Sequence, residues 1–390
     1  MGEASENRLL IIDDEAQIRS LVIDVAEIAG FAAQEADEPE AFFDACASFQ
    51  PTVIVLDLQM PQADGIEILR RLSQDKVVAK VLLISGVDQK VLNTAKRFGS
   101  AEGLQMLGAL TKPFDLNELK ALLAKARRGA PTFARADLER AIDNREFVVY
   151  YQPKVKLDAE KAQKIEGAEA LVRWMHPQHG LLPPDSFIPL AERENVIGRL
   201  TDLVLDISFD HLRLCLKANP SLLLSVNFAA QLLDDLDMPD RLARMAQDRG
   251  LPAEQIILEI TETGVMRDAI RVMDVLTRFR LKNFGLSMDD FGTGYSSLVQ
   301  LYRLPFSELK IDKSFVMDAD SSEEARAIIR SAILLGHELK LNVCAEGVET
   351  QSALDFLYSL GCDKAQGYLI GRPMPADRFL ELLTNEASSD

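Results

Sequence analysis

Oxygen-bearing side chains and one lysine recur where short apolar runs end in the C-terminal part of this chain. Glu169 follows residues 165–168, Asn227 follows 222–226, Glu259 follows 256–258, and Asp289 and Asp290 follow 284–288. Lys310 follows 307–309, Glu346 follows 343–345, and Gln366 follows 363–365. Most of the gaps approximate one strand plus one helix. If the runs are strands of a barrel whose C-terminal ends share one mouth, these groups converge there. Carboxylates brought together repel unless cations lie between them, and hard divalent cations take oxygen ligands. The pattern therefore predicts a metal-dependent site. Singly, each residue has a plainer reading: Asp289-Asp290 as a charge pair at a helix start, Asn227 as a buried amide, Glu169 as a surface acid. Only the set points to one site.

A second set lies nearer the start. Asp13 and Asp14 end the first apolar run, Asp57 the third and Ser85 the fourth, and Lys112 ends the fifth, before Pro113. In a doubly wound sheet the first and third strands are neighbours, so three carboxylates share one crevice at the strand ends. A carboxylate there can act as nucleophile toward phosphorus, with a divalent cation offsetting the incoming charge.

The elements that must position these groups follow from periodicity. Residues 8–12, 32–35, 52–56, 80–84 and 106–110 read as strands alternating with amphipathic helices, the last over 116–126; this is a five-stranded, flavodoxin-like doubly wound parallel sheet. Arg127-Arg128-Gly129-Ala130-Pro131 breaks the pattern, and a helix over 135–143 follows. Beyond it, strands are predicted at 147–151, 165–172, 222–226, 255–259, 284–288, 308–311, 342–345 and 364–365. Helices include 199–217, 268–282 and 323–339, giving the length and rhythm of a TIM-type β/α barrel. The expected division is 1–127, a linker at 128–134, and a barrel at 135–390.

The composition narrows the options. The 390 residues carry a formal net charge of −18 with no basic cluster, which argues against a nucleic-acid polymer as partner. No apolar run approaches a membrane span, and the polar, acidic start is unlike a secretory signal, so no membrane association and a cytoplasmic location are expected. The four cysteines are scattered singly, without zinc-ligand or disulfide spacing. His176 and His179 lie in a loop pattern without helical metal-ligand spacing.

The N-terminal set, Asp13-Asp14, Asp57, Ser85 and Lys112-Pro113, resembles that of response-regulator receiver domains over residues 8–127. The resemblance implies that Asp57 is the phosphoacceptor and that a sensor histidine kinase is the partner. It gives Asp13, Asp14 and Asp57 a Mg2+ to hold, and makes Ser85 and Lys112 the switch residues. One position departs: receivers carry an aromatic residue three positions before the lysine, and Ala109 stands there.

Glu169-Ala170-Leu171-Val172-Arg173-Trp174 opens a second resemblance. Further words are Tyr151-Gln152-Pro153, Ser225-Val226-Asn227, Leu258-Glu259-Ile260-Thr261-Glu262, Asp289-Asp290-Phe291-Gly292-Thr293-Gly294, Leu309-Lys310-Ile311-Asp312, Ala345-Glu346-Gly347-Val348-Glu349-Thr350 and Gln366-Gly367-Tyr368. Together, over about 135–386, they resemble EAL-type cyclic di-GMP phosphodiesterases. The resemblance implies hydrolysis of cyclic di-GMP to linear pGpG with two Mg2+ or Mn2+ ions. Glu169, Asn227, Glu259 and Asp289 would hold one ion, and Asp289, Asp290 and Glu346 the other. Lys310, Glu346 and Glu169 would be catalytic, with Gln152, Arg173 and Gln366 on the substrate. Glu262, Thr293 and Glu349 would support the loops, and a homodimer or higher homo-oligomer is implied. The alternative is a non-catalytic cyclic di-GMP receptor; relatives of that kind lack ligands that this chain retains.

Overall fold

The computed structural model describes residues 7–61, 64–127, 133–157, 163–262, 269–292 and 298–387. The chain forms two compact units, Met1–Ala130 and Pro131–Asp390.

The first unit alternates β1 (Arg8–Ile12), α1 (Ala16–Ile28), β2 (Ala32–Ala36), α2 (Pro39–Phe49), β3 (Val53–Asp57), α3 (Gly65–Gln74), β4 (Lys80–Ser85), α4 (Gln89–Ala101), β5 (Gln105–Thr111) and α5 (Leu116–Arg127). The sheet is parallel, in the order β2-β1-β3-β4-β5. A strand sends alternate side chains to opposite faces, and both faces are covered. Leu10, Ile12, Ile54, Leu56, Val81 and Leu83 enter one apolar cluster, and Leu9, Ile11, Val53, Val55, Leu82 and Ile84 enter the other. That double burial explains why β1, β3 and β4 read as unbroken apolar runs. Asp64 and Asp88 start α3 and α4 by accepting backbone N–H groups with their side chains.

In the second unit, α6 (Arg135–Asp143) precedes β6 (Phe147–Leu157), β7 (Gln163–His176), β8 (Gly180–Leu182), α7 (Ile188–Arg193), α8 (Ile197–Cys215), β9 (Leu223–Asn227) and α9 (Met238–Gln247). Then come β10 (Ile256–Thr261), α10 (Ala269–Leu281), β11 (Gly285–Phe291), α11 (Leu298–Arg303), β12 (Glu308–Ile311), α12 (Lys313–Asp318) and α13 (Glu323–Glu338). The series ends with β13 (Asn342–Ala345), α14 (Gln351–Ser359), β14 (Lys364–Gln366), β15 (Met374–Pro375) and α15 (Ala376–Ala387). From β7 through β9 to β14 each pair of neighbours in the barrel wall is parallel, and β6 closes the ring between β14 and β7. The short strands β8 and β15 add to β7 and β6.

The wall departs from the expectation in two respects. β6 runs antiparallel to both neighbours, so not every strand presents its C-terminal end to one mouth. Only residues 158–162 separate β6 from β7, too few for the crossover a parallel pair needs. Several strands also run on past their acids: β7 continues from Glu169 to His176, β10 to Thr261 and β11 to Phe291. β7 extends because β6 pairs with it on one edge and β8 with its end on the other, Phe147 lying opposite Trp174 and Trp174 opposite Leu182. Trp174 is fully buried in the apolar core, its indole N–H donating to Glu146 at 2.9 Å.

Candidate functional site

The barrel site is built from alternate residues of successive strands. Gln152 and Lys154 come from β6, Glu169 from β7, Ser225 and Asn227 from β9, and Glu259 from β10. Ser287 and Asp289 come from β11, Glu308 and Lys310 from β12, and Lys364 and Gln366 from β14, with Glu346 just beyond β13. The period of two sends each i, i+2 pair inward on one strand face. A β/α barrel interior is ordinarily filled by branched apolar side chains; here a column of ion pairs replaces much of that filling.

Lys310 lies at its centre, fully buried. Its Nζ is 2.6 Å from Glu346 Oε1, 2.7 Å from Glu259 Oε2, 3.0 Å from Asp289 Oδ1 and 3.7 Å from Glu169 Oε2. Around it, Asn227 Nδ2 donates to Glu169 Oε1 at 2.8 Å, and Gln366 Nε2 donates to Glu169 Oε2 at 2.7 Å and to Gln152 Oε1 at 3.0 Å. Gly367 lets the chain just after Gln366 pass against the Val348 backbone, with which a Cβ at that position would collide. Carboxylate oxygens of Asp289, Asp290 and Glu346 lie within 4.8 Å of one another. Asp290 holds a left-handed φ of 57° without being glycine, backbone strain of the kind concentrated at functional positions.

Glu169, Asn227, Glu259, Asp289, Asp290, Lys310, Glu346, Gln152 and Gln366 are thus connected through this network. Arg173 stands apart: it is half-buried, its Nη1 donates to the Val172 carbonyl, and its guanidinium lies 5.7 Å from the Tyr150 ring centre. Glu262 is buried and accepts the Gly292 N–H at 3.3 Å, and Glu349 is exposed. Thr293 lies outside the described residues.

Three lysine-centred links escaped the reading by strand ends. Lys154 Nζ is 2.6 Å from Glu259 Oε1, and Lys364 Nζ is 3.0 Å from Glu308 Oε2 and 3.3 Å from Glu166 Oε2. Ser287 Oγ donates to the other oxygen of Glu308 at 3.0 Å. The available signal was a polar residue two positions before some of these site residues, as in Lys364/Gln366 and Glu308/Lys310.

The electrostatics follow from burial and neighbours. Burial pushes Glu259 up, but Lys154 and Lys310 outweigh it and bring the carboxyl down to about 2. Burial and the nearby Asp289, Glu169 and Glu259 raise Glu346 to about 8 against the pull of Lys310. Burial, Asp289 and Asp312 raise Asp290 to about 6. Burial disfavours the Lys310 ammonium, yet the carboxylates around it raise its pKa well above the ordinary lysine value.

For Glu346 and Asp290 the folded values lie above the unfolded ones. Their contribution to stability is therefore complete at low pH and is lost as pH rises through about 6 and then about 8. A cation among them reverses the penalty. We expect the melting of the barrel, followed by the fluorescence of its single tryptophan, Trp174, to fall in chelator between about pH 5 and pH 8. The gain in Tm on adding Mg2+ should be larger at the upper pH. A gain of equal size throughout would contradict these assignments.

In the first unit, Lys112 Nζ is 2.7 Å from Asp57 Oδ2, 2.9 Å from Asp13 Oδ2 and 2.9 Å from Glu15 Oε1. Oxygens of Asp13, Asp14 and Asp57 lie within 4.8 Å of one another. Asp13 and Asp57 are buried and Asp14 is exposed. Burial raises the Asp13 carboxyl despite its bond to Lys112. The buried Ser85 ends β4 beside them, its carbonyl accepting the Lys112 N–H at 2.7 Å.

A doubly wound sheet with an acid crevice, followed by a barrel with a mouth of acids around a buried lysine, defines a two-module protein with an acid cluster in each module suited to a divalent cation. Residues 9–124 match the response regulator receiver domain, and residues 135–373 match the EAL domain. The chain belongs to the EAL domain family and carries a receiver domain ahead of the EAL domain. It is 34% identical to the cyclic di-GMP phosphodiesterase RocR of Pseudomonas aeruginosa over 96% of this chain and 97% of RocR. It is 42% identical to the bifunctional diguanylate cyclase/cyclic di-GMP phosphodiesterase MucR of the same organism, over 63% of this chain and 35% of MucR. Among solved structures, the PaMucR phosphodiesterase in complex with c-di-GMP matches 63% of this chain and 98% of its own, with 40% identity and a TM-score of 0.59. Among the described residues no helix is long and apolar enough to cross a membrane.

Proposed function

We propose that this chain hydrolyses cyclic di-GMP to linear pGpG, with Mg2+ or Mn2+ as cofactor, under control of phosphorylation at Asp57. The observation that carries the reading is the buried Lys310 ammonium with Glu259, Asp289 and Glu346 all within 3.0 Å of its Nζ. The donor set suits hard cations. Glu166, Glu169, Glu259, Asp289, Asp290, Glu308 and Glu346 are seven carboxylates against Lys154, Lys310 and Lys364. With all seven ionised, the form that bound cations favour, seven less three leaves four negative charges, which two divalent cations would balance.

Glu169, Asn227, Glu259 and Asp289 would hold one cation, and Asp289, Asp290 and Glu346 the other. The cations would supply an acidified water and neutralise charge on the attacking and leaving oxygens. Lys310 stays protonated, so it serves as a donor that aligns the nucleophile and offsets charge building on the phosphoryl oxygens. Water adds to phosphorus, the bond to the 3′ oxygen breaks, and that oxygen leaves as a hydroxyl. Arg173, which donates to the Val172 carbonyl, would turn to a phosphate oxygen. Gln152 and Gln366 offer amides to the guanine or ribose, Glu262 steadies the loop through Gly292, and Glu349 supports the second cation. In the receiver, Asp57 would accept the phosphoryl group from a sensor histidine kinase, with Mg2+ held by Asp13, Asp14 and Asp57.

Product identification after incubation with cyclic di-GMP and Mg2+ or Mn2+, with and without a phosphodonor, tests the reading. Tight nucleotide binding without any pGpG would leave a receptor instead. Glu169→Ala removes a carboxylate bonded to Asn227 and Gln366 and is expected to abolish turnover. Full activity in this variant would mean that the ligand assignment is wrong.

A further inference from the structure

Lys154 is 4% exposed and belongs to the strand that runs against the others. Its Nζ reaches Ser225 Oγ at 2.8 Å and Glu259 Oε1 at 2.6 Å, while the second oxygen of Glu259 bonds Lys310. Glu259 is itself 1% exposed, so its two oxygens are shared between two ammonium groups of different standing. Lys310 also touches Asp289 and Glu346, the groups that a cation would engage. Lys154 has no ion pair with them; Ser225 ties it to the wall beneath the mouth.

We infer that Lys154 is a positioning residue that anchors one oxygen of Glu259 and leaves the other free to be handed from Lys310 to a divalent cation. The inference rests on the metal-dependent reading above and deepens it. When a cation enters, Lys310 must yield part of its hold on the carboxylates. Glu259 then keeps a counter-charge only if Lys154 stays beneath it. Without Lys154, Glu259 is free to turn both oxygens to Lys310, and the cation must displace that closed pair. Breaking one partner of a buried pair leaves a charge uncompensated, so the neighbour rearranges to cover it.

The test is Mn2+ binding by the full chain, read from the free-ion electron spin resonance signal, together with the metal dependence of kcat and KM. Lys154→Met should weaken Mn2+ binding by on the order of tenfold or more, with turnover recovering in large part at saturating Mn2+. Lys154→Arg should restore part of the affinity. Tyr151→Phe removes a buried hydroxyl that bonds His211 on the helix-facing side of the same strand, and controls for general disturbance of β6; its Mn2+ titration should match wild type. Ser225→Ala, which removes the tether but not the charge, covers the case in which Lys154→Met fails to fold, and should shift the titration in the same direction. Unchanged Mn2+ affinity in both Lys154→Met and Ser225→Ala, or an equal shift in the Tyr151→Phe control, would overturn the inference. Failure of wild type itself to bind Mn2+ would instead remove the metal-dependent reading.

Discussion

Lys310→Met is expected to lose hydrolysis by a factor on the order of 10³, the scale of deleting one preorganised electrostatic donor, while its response to metal grows. Lys310 Nζ sits within 3.0 Å of Glu259, Asp289 and Glu346 and 3.7 Å from Glu169. Removing it leaves these carboxylates facing one another, and an uncompensated buried charge costs roughly 3–5 kcal/mol. The metal-free variant should therefore melt well below wild type by Trp174 fluorescence. Mg2+ or Mn2+ should close most of that gap, because the cations supply the missing positive charge. Stability and turnover would then separate: the loaded variant is folded and binds metal, yet does not orient the nucleophile or meet the charge on phosphorus. Retained turnover in the loaded variant would show that Lys310 is only a structural counter-ion.

Asp57→Asn is expected to abolish the change in hydrolysis that a small phosphodonor produces in wild type, bringing the ratio of rates with and without donor to one. Lys112 now bridges Asp57, Asp13 and Glu15. Phosphorylation adds nearly two negative charges at Asp57, and the buried crevice must redistribute Lys112 and a cation to meet them. An amide cannot take up the phosphoryl group, so no such rearrangement begins. Mg2+-induced stabilisation of the barrel, read at Trp174, should be unaffected. A phosphodonor response of equal size in wild type and variant would place the acceptor elsewhere. Ala109 is half-buried in the apolar cluster that contains Leu83, its partner in register. With no ring there to turn, we expect any route from Asp57 to run through Ser85 and Lys112.

Much of the site was legible because strand ends advertise themselves. Asn227 and Gln366 close their strands, and Glu346 follows the end of β13. Their motifs stand in unbroken order along the chain. Glu169, Glu259 and Asp289 were recognised as site residues, although each lies inside a longer strand; strand length depends on pairing partners far away in sequence, here β6 and β8 beside β7. The direction of β6 was settled by a short connection whose meaning emerges only once β6 and β7 are known to be neighbours. Lys154, Glu308 and Lys364 passed unnoticed for a related reason. A lysine in an apolar strand is ambiguous until the carboxylate that neutralises it is seen, and Glu259 and Glu308 lie 105 and 56 residues from their lysines.

The amino-acid sequence by itself determined the two-module organisation, the alternation of strand and helix, and most of the acids and amides proposed for the sites, because periodicity and short motifs are local properties of a chain. The tertiary structure alone decided which oxygen meets which ammonium. Ring closure by an antiparallel β6 sets Lys154 beneath Glu259, and stacked i, i+2 pairs turn the barrel interior into a column of ions. Those pairings are fixed by strand register across the whole ring, and their energies depend on burial, which no local stretch of sequence carries.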